Sequence, residues 1–199
     1  LLEGRKIGSM SFTLIKTNYG HEFIWSHHHA CLDGWSIALV LNDVQKILKD
    51  KNASLSSSLP FKNFYEWIIE YDLKKAQKYW EDRLNGFTSP TPLPAALSTN
   101  IQSSDTIKTT HSLSDISTQL LVEYTKTNEV TLNTILQASW SLVLFLFTDN
   151  EDIVFGSTVS GRSAPGFDNI VGNLINTIPV RIGIDRSQTI DEFLHTIQD

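Results

Sequence analysis

Three consecutive histidines stand a few residues ahead of an aspartate and a glycine. The run contains His27, His28 and His29, and Asp33 and Gly34 follow it. A neutral imidazole has one nitrogen that can accept a proton, and its ordinary pKa of about 6.5 suits a general base near neutral pH. The Asp33 carboxylate can hold an imidazole tautomer or pair with an arginine, and Gly34 has no Cβ to obstruct a substrate. These residue types at this spacing predict a reaction centre.

The same stretch leaves other interpretations open. His27, His29 and Asp33, with His21 as a further candidate, have the donor atoms of a zinc site, but no second cluster supplies more ligands. Cys31 is a candidate nucleophile activated by a neighbouring histidine, although a small side chain in a loop more often packs. A histidine at the end of a strand is also often only packed and hydrogen-bonded. We expect no metal.

A hairpin is predicted before the reaction centre. Residues 10–17 and 21–29 read as its strands, and residues 18–20 tolerate turn geometry. Residues 21–25 are β-prone and apolar on both faces, which predicts a strand buried in a sheet. Because side chains alternate along a strand, the first and third histidines of the run are expected to share one face.

Helices and strands alternate along the rest of the chain. Apolar residues recur at helical spacing after Gly34 and predict a helix over 35–50. Ser114 and Thr131 are good N-caps for two later helices. Further helices are predicted after Pro60, up to Leu84, over 115–126, over 132–148 and from Ile190, and further strands over 106–112, 152–160 and 170–184.

A proline-rich segment divides the chain. Residues 89–94 contain three prolines, which cannot continue a helix. We therefore predict two parts of mixed α/β character, 1–95 and 96–199, joined by a stiff linker.

The composition argues against several classes of protein. With 41% hydrophobic residues, ten Phe and five Trp among 199 residues, the chain can build a core. A net charge of -6 and the lack of a basic cluster argue against a nucleic-acid partner. The apolar stretch 135–147 is shorter than the ~20 residues of a membrane span. One cysteine fits a reducing compartment, and we expect a cytoplasmic protein without a membrane partner. No phosphate-binding loop or dinucleotide fingerprint occurs.

Read together, residues 28–34 have the form His-His-x-x-x-Asp-Gly, which resembles the core motif of the condensation domains of non-ribosomal peptide synthetases. Four further segments resemble motifs of the same family in the same order. They are Phe64 to Trp67, Tyr79 to Gly86, Asp152 to Arg162, and Val171 to Arg181.

The resemblance implies a mixed α/β fold like that of chloramphenicol acetyltransferase, with two lobes and a tunnel between them. The chain begins without Met and stops inside an apparent helix, so we expect it to be a central piece, incomplete at both ends. Residues 1–95 would be the C-terminal part of the first subdomain, and residues 96–199 the beginning of the second.

The resemblance also implies an acyltransferase that forms peptide bonds. His29 would act as general base or position the attacking amine, and His28 would support it. Asp33 would be structural, pairing with Arg162, and Gly34 would belong to the catalytic motif. Three more residues would line the substrate channel: Trp35, Ser36 and Asn176.

Partners and cofactors follow from the same resemblance. The domain would bind no cofactor itself, while 4'-phosphopantetheine on upstream and downstream peptidyl carrier domains would deliver the substrates, beside an adenylation domain. The alternatives are an epimerisation domain, a coenzyme A-dependent acyltransferase of the same superfamily, and a non-catalytic carrier-docking module. The residues leave open whether the isolated piece is active.

Overall fold

A computed structural model describes residues 10–92 and 108–199 of the chain. By their internal contacts the described residues fall into two compact units. Unit 1 comprises the residues up to Ala76 together with Thr158–Ile178, and unit 2 comprises those of Gln77–Ser157 and Pro179–Asp199. The predicted boundary at residue 95 falls outside the described residues and stays a prediction.

Six α-helices and four strands are assigned within the described ranges. In chain order they are β1 (Met10–Thr17), β2 (Gly20–His27), α1 (Gly34–Lys49), α2 (Phe61–Glu70), α3 (Leu73–Arg83), α4 (Asp115–Thr127), α5 (Leu132–Thr148), β3 (Asp152–Val159), β4 (Asn176–Gly183) and α6 (Ile190–Gln198).

Strands β1 and β2 pair antiparallel as the predicted hairpin, with Phe12 opposite Trp25 and Met10 opposite His27. The prediction that residues 21–25 form a buried strand is wrong. Phe23 is 61% exposed, because β2 pairs only with β1 in a two-stranded sheet and nothing else among the described residues covers this part of it.

The small core of unit 1 joins α2 to the segment after β3. Phe167, Ile170 and Leu174 are buried, and Phe64 of α2 packs against them. The rings of Phe64 and Phe167 meet edge to face with centroids 5.7 Å apart, a favourable arrangement for aromatic pairs. This packing holds the loop between β3 and β4 against α2.

Unit 2 packs α5 and α6 against strands β3 and β4. Ile184, just after β4, donates its N–H to the Glu151 carbonyl just before β3, so the two strands run antiparallel. The α5 helix buries one face at helical spacing. The buried apolar residues of this core are Val130, Ala138, Leu144, Ile153, Ile182, Ile184, Phe193 and Leu194.

Arg181 joins three of the motif segments within unit 2. Its guanidinium makes a bidentate ion pair with Asp152 of β3, with N–O distances of 2.7 and 2.8 Å. The remaining amino group donates to the carbonyls of Asn85 and Arg83, at the end of α3. The strand pair and the end of α3 are thereby fixed together.

The predicted strands after the linker need two corrections. Residues 106 and 107 lie outside the described residues, and 108–112 form no strand because no neighbouring strand pairs with them in the described ranges. The strand predicted over 170–184 is confined to β4. Residues before Asn176 form a loop instead, because the side chains of Asp33 and Ser36 bind the backbone groups that a neighbouring strand would otherwise take.

No single helix in the described part of the chain is long and apolar enough to cross a membrane. Helices α4 and α5 meet that criterion only as a pair, which is bent by 109° at the break between them.

Candidate functional site

The histidine run ends the hairpin with a tight turn. Strand β2 stops at His27, and Cys31 donates its N–H to the His28 carbonyl at 2.9 Å, closing a β-turn over residues 28–31. The predicted strand alternation therefore does not extend to His29. The His28 ring is held within the turn, because its Nδ1 accepts from the Ala30 N–H at 3.0 Å. His29 occupies the turn with its side chain exposed to solvent.

Asp33 anchors the other end of this turn. It is the N-cap of α1, and its Oδ1 accepts the N–H of Ser36 at 2.8 Å. A capping carboxylate satisfies a helix N–H that lacks an intrahelical partner and interacts favourably with the helix dipole. Asp33 is 0% exposed, so the cap is also part of the interior of unit 1.

The structure brings Arg162 onto the same carboxylate. Its Nη1 lies 2.7 Å from Asp33 Oδ2 and its Nη2 lies 3.1 Å from Asp33 Oδ1, in the bidentate geometry that makes arginine–carboxylate pairs strong. The Arg162 side chain is only 2% exposed. Arg162 also donates to the Ser36 hydroxyl and to the carbonyls of Ser160 and Ile170.

A fourth donor completes the shell around Asp33. The Leu174 N–H donates to Oδ2 at 3.0 Å, so each carboxylate oxygen accepts two hydrogen bonds. A carboxylate surrounded in this way holds chain segments together, and it has no accessible oxygen with which to relay a proton. The contacts therefore support a structural role for Asp33.

The same contacts shift the ionisation of Asp33. Burial by itself would raise its pKa, but the hydrogen bonds from Arg162, Ser36 and Leu174 outweigh burial and lower the pKa from 3.8 to about 2. The carboxylate is therefore ionised throughout the physiological pH range.

This lowered pKa predicts an acid-dependent loss of stability. Because the folded pKa lies below the unfolded value, ionised Asp33 stabilises the fold above about pH 4, and the contribution of about 2 kcal/mol disappears as the pH falls towards 2. Urea unfolding of the chain between pH 2 and 6 measures it. Asp33→Asn should flatten this part of the curve, and parallel curves for the two proteins would contradict the assignment.

Ser36 was predicted to line a substrate channel, and its burial disagrees with that role. The residue is 0% exposed, and its hydroxyl contacts Gly172 and Arg162 instead of an open surface. Gly172 itself must be small, because a Cβ on it would lie 2.2 Å from Cδ2 of Phe61.

The other predicted channel residues keep an exposed surface. Trp35 is 53% exposed, although its indole N–H donates to the Asp168 carbonyl at 2.9 Å and one face lies near the Arg162 guanidinium. Asn176 is exposed at the start of β4, and a Cβ on Gly34 would meet no atom within 4 Å. Their part in binding substrate stays a prediction.

The described side chains do not group in a way that supports the zinc site or the thiol nucleophile. No three His, Cys, Asp or Glu residues among the described ones are arranged to hold a metal ion. His21 lies opposite Lys16 near the hairpin turn, His27 packs on Trp25, and Asp33 is committed to Arg162. Cys31 is a free thiol, half-buried in the turn.

Comparison with known proteins identifies the family. The family model described as "Condensation domain" matches residues 5–199. The chain belongs to the condensation-domain family of non-ribosomal peptide synthetases. It is 33% identical over 184 residues to bacitracin synthase 3 of Bacillus licheniformis, covering 89% of this chain and 3% of that protein. It is 33% identical over 191 residues to gramicidin S synthase 2 of Brevibacillus brevis, covering 92% of this chain and 4% of that protein.

Solved structures confirm the predicted fold class. The chain matches the epimerization domain of the third module of tyrocidine synthetase B with a TM-score of 0.74 and 16% identity, over 95% of this chain and 46% of that one. It matches the first condensation domain of the calcium-dependent antibiotic synthetase with a TM-score of 0.67 and 19% identity, over 94% and 46%. This condensation-domain chain thus spans less than half of those structures and a small part of its curated relatives.

Some partners in the site had no signal in the sequence. The loop between β3 and β4 contributes the backbone groups of Ile170, Gly172 and Leu174, and main-chain groups of this kind are not specific to one residue type. Two of the three glycines in this condensation-domain segment, Gly161 and Gly172, are a hint, since glycine often marks a close approach of two chain segments.

Proposed function

We propose that the chain supplies the reaction centre of a condensation domain that forms amide bonds. The donor is an acyl or peptidyl thioester, and the acceptor is the amine of an aminoacyl thioester, both on phosphopantetheine arms of carrier domains. One observation carries the proposal. His29 is exposed in the turn after β2, and the buried Asp33–Arg162 ion pair holds the chain where it leaves this turn.

Amide formation from a thioester requires few other catalytic groups. A thioester is already activated, so no metal, nucleotide or enzyme nucleophile is needed, and the acceptor amine must only attack with its lone pair free. The C–N bond forms as the C–S bond breaks, and the proton lost by nitrogen ends on the departing sulfur. An imidazole can take and return that proton. Alternatively, it can orient the amine and stabilise the charged intermediate.

The buried Asp33–Arg162 pair supports the role proposed for His29, because it anchors one end of the turn that contains His29. Catalytic groups must keep their reacting atoms aligned to within a fraction of an ångström. Here the turn 28–31 lies between β2 on one side and the capped start of α1 on the other. His28 fastens the turn through its contact with Ala30.

The partners of this reaction are part of the proposal. The substrates would come from upstream and downstream peptidyl carrier domains of a multimodular synthetase, with an adjacent adenylation domain that loads one of them. One solved structure that the chain matches at 23% identity and a TM-score of 0.71 is described as a four-domain non-ribosomal peptide synthetase bound to AMP and glycine.

The test is His29→Ala in the intact synthetase module that contains this chain. Amide formation between donor and acceptor carriers, followed by mass spectrometry, should fall by about 10²–10⁴-fold, the usual contribution of a positioned acid–base group. His21→Ala is the matched control, since His21 is an exposed histidine near the hairpin turn. It should leave the rate within about twofold of the unmodified protein.

Further outcomes separate the alternatives. Full activity of His29→Ala would overturn the proposal, and loss of activity in Cys31→Ala would indicate thiol chemistry instead. Exchange of the donor Cα hydrogen with deuterated water, without amide formation, would indicate epimerisation. Acylation from free coenzyme A thioesters would indicate the acyltransferase alternative, and carrier binding without any turnover would indicate a docking module.

A further inference from the structure

The hydroxyl of Ser36 holds both peptide groups of one distant glycine. Its Oγ donates to the Gly172 carbonyl at 2.7 Å and accepts the Gly172 N–H at 3.0 Å. It also accepts from Arg162 Nη2 at 3.0 Å. A serine hydroxyl has one hydrogen to donate and two lone pairs, so its hydrogen-bonding capacity is used completely.

This contact is one of several that fix the loop between β3 and β4. Asp33 binds the Leu174 N–H, and Arg162 binds the Ile170 carbonyl. Ser36 alone among these takes both groups of a single residue, and the Phe61 ring closes the other side of Gly172. Gly172 therefore has little freedom to move while the Ser36 hydroxyl is present.

Removal of the hydroxyl would disturb the site through the backbone. Without the hydroxyl, the Gly172 N–H and one Arg162 N–H lose their acceptor, and the Gly172 carbonyl keeps only the Asp33 N–H at 3.4 Å. Ser36 has no solvent contact, so water has no open route to replace the hydroxyl. The loop would relax towards other partners and carry with it the Leu174 N–H that Asp33 uses. Asp33 also caps α1 directly after the histidine turn, so a shift of its carboxylate reaches the position of His29.

We infer that Ser36 is a positioning residue for amide formation, which fixes the loop around Gly172 and so keeps the His29 turn in its reactive place. This inference rests on the proposed function. It differs from a role in substrate binding, because the hydroxyl is buried and touches no open surface. Misplacement of reacting groups lowers the rate of the chemical step more than it weakens binding of the substrate.

The experiment compares Ser36→Ala with Ser141→Ala in the intact module. Ser141 is also 0% exposed, but its hydroxyl donates to the Ala138 carbonyl within α5, in unit 2. Ser36→Ala should lower kcat for amide formation about 10–100-fold with the acceptor KM changed by less than about threefold. Ser141→Ala should leave kcat within about twofold, whatever its effect on the melting temperature.

Hydrogen–deuterium exchange supplies a readout that does not depend on turnover. Peptides covering 168–175 should exchange about tenfold faster in Ser36→Ala, while peptides of α5 should be unchanged. A kcat equal to that of Ser141→Ala, a change confined to KM, or unchanged exchange in 168–175 would each overturn the inference. If the unmodified module forms no amide, the proposed function fails and the positioning role falls with it, whereas altered exchange would still report the loop contact.

Discussion

Asp33→Ala is expected to lower the free energy of unfolding by about 3–5 kcal/mol, the usual loss when one partner of a buried ion pair is removed. The Arg162 guanidinium, 2% exposed, would be left charged in the interior without its carboxylate. The Ser36 and Leu174 N–H groups would lose their acceptor in the same change. Urea unfolding at neutral pH measures the difference.

Asp82, in an exposed ion pair, is the control that shows how much burial contributes to the loss of unfolding free energy. Asp82 pairs with Lys78 on α3, but the two side chains are 68% and 76% exposed. Asp82→Ala should therefore change the free energy of unfolding by less than about 1 kcal/mol. Similar losses for Asp33→Ala and Asp82→Ala would contradict the structural role given to the buried pair.

A second substitution separates the unpaired charge from the lost cap. Arg162→Met on the Asp33→Ala background removes the stranded guanidinium, so about 1–2 kcal/mol should return although the cap of α1 is still missing. Both Asp33→Ala and the double variant should be inactive in amide formation, because the turn that carries His29 has lost its anchor in each. Additive losses of stability from the two substitutions would show that the side chains do not interact.

The parts of the fold that depend on local sequence could be predicted well. Ser114 and Thr131 were expected to cap helices, and each side-chain oxygen accepts the backbone N–H three residues later. Helical spacing of apolar residues likewise located α1 to within a residue at each end. Caps and periodicity act over a few residues, so one sequence contains the whole signal.

The errors share a different origin. The loop at 170–175 was expected to be a strand, but its backbone groups bind Ser36 and Asp33, which lie 136 and 141 residues away in sequence. The β2 strand was expected to be buried because its residues are apolar, yet burial depends on which segments cover it. Long-range contacts of this kind have no local spacing from which to infer them.

The candidate site likewise contains residues that local sequence indicates and contacts that it does not. The histidine run and Asp33 attract attention by residue type alone, whereas the Asp33–Arg162 pair spans 129 residues and was expected only from the family resemblance. Ser36 shows the limit of that approach, since a residue next to the motif was assigned to the channel although its hydroxyl faces the interior. Neighbouring positions at a helix start point in different directions, and only the contacts distinguish them.

Gly161→Ala is expected to lower the free energy of unfolding by at least about 3 kcal/mol. The loss has two causes, which alanine variants at three different glycines distinguish. Gly161 has φ +67°, and an added Cβ would lie 2.0 Å from the Leu174 carbonyl oxygen. Gly86 has φ +77° with no atom within 4 Å of such a Cβ, so Gly86→Ala should cost only the about 1–2 kcal/mol of left-handed backbone. Gly183→Ala has neither problem and should be close to neutral.

The excess of Gly161→Ala over Gly86→Ala therefore measures the close approach of two backbones. Leu174 cannot move aside freely, because its N–H is held by Asp33. The clash would push that N–H away from the carboxylate, so the variant should also lose part of the acid-dependent stabilisation between about pH 4 and 2. Urea unfolding of the three alanine variants at pH 3 and pH 7 tests both statements. Equal losses for Gly161→Ala and Gly86→Ala would mean that backbone conformation alone requires glycine at 161, and that Leu174 has room to retreat.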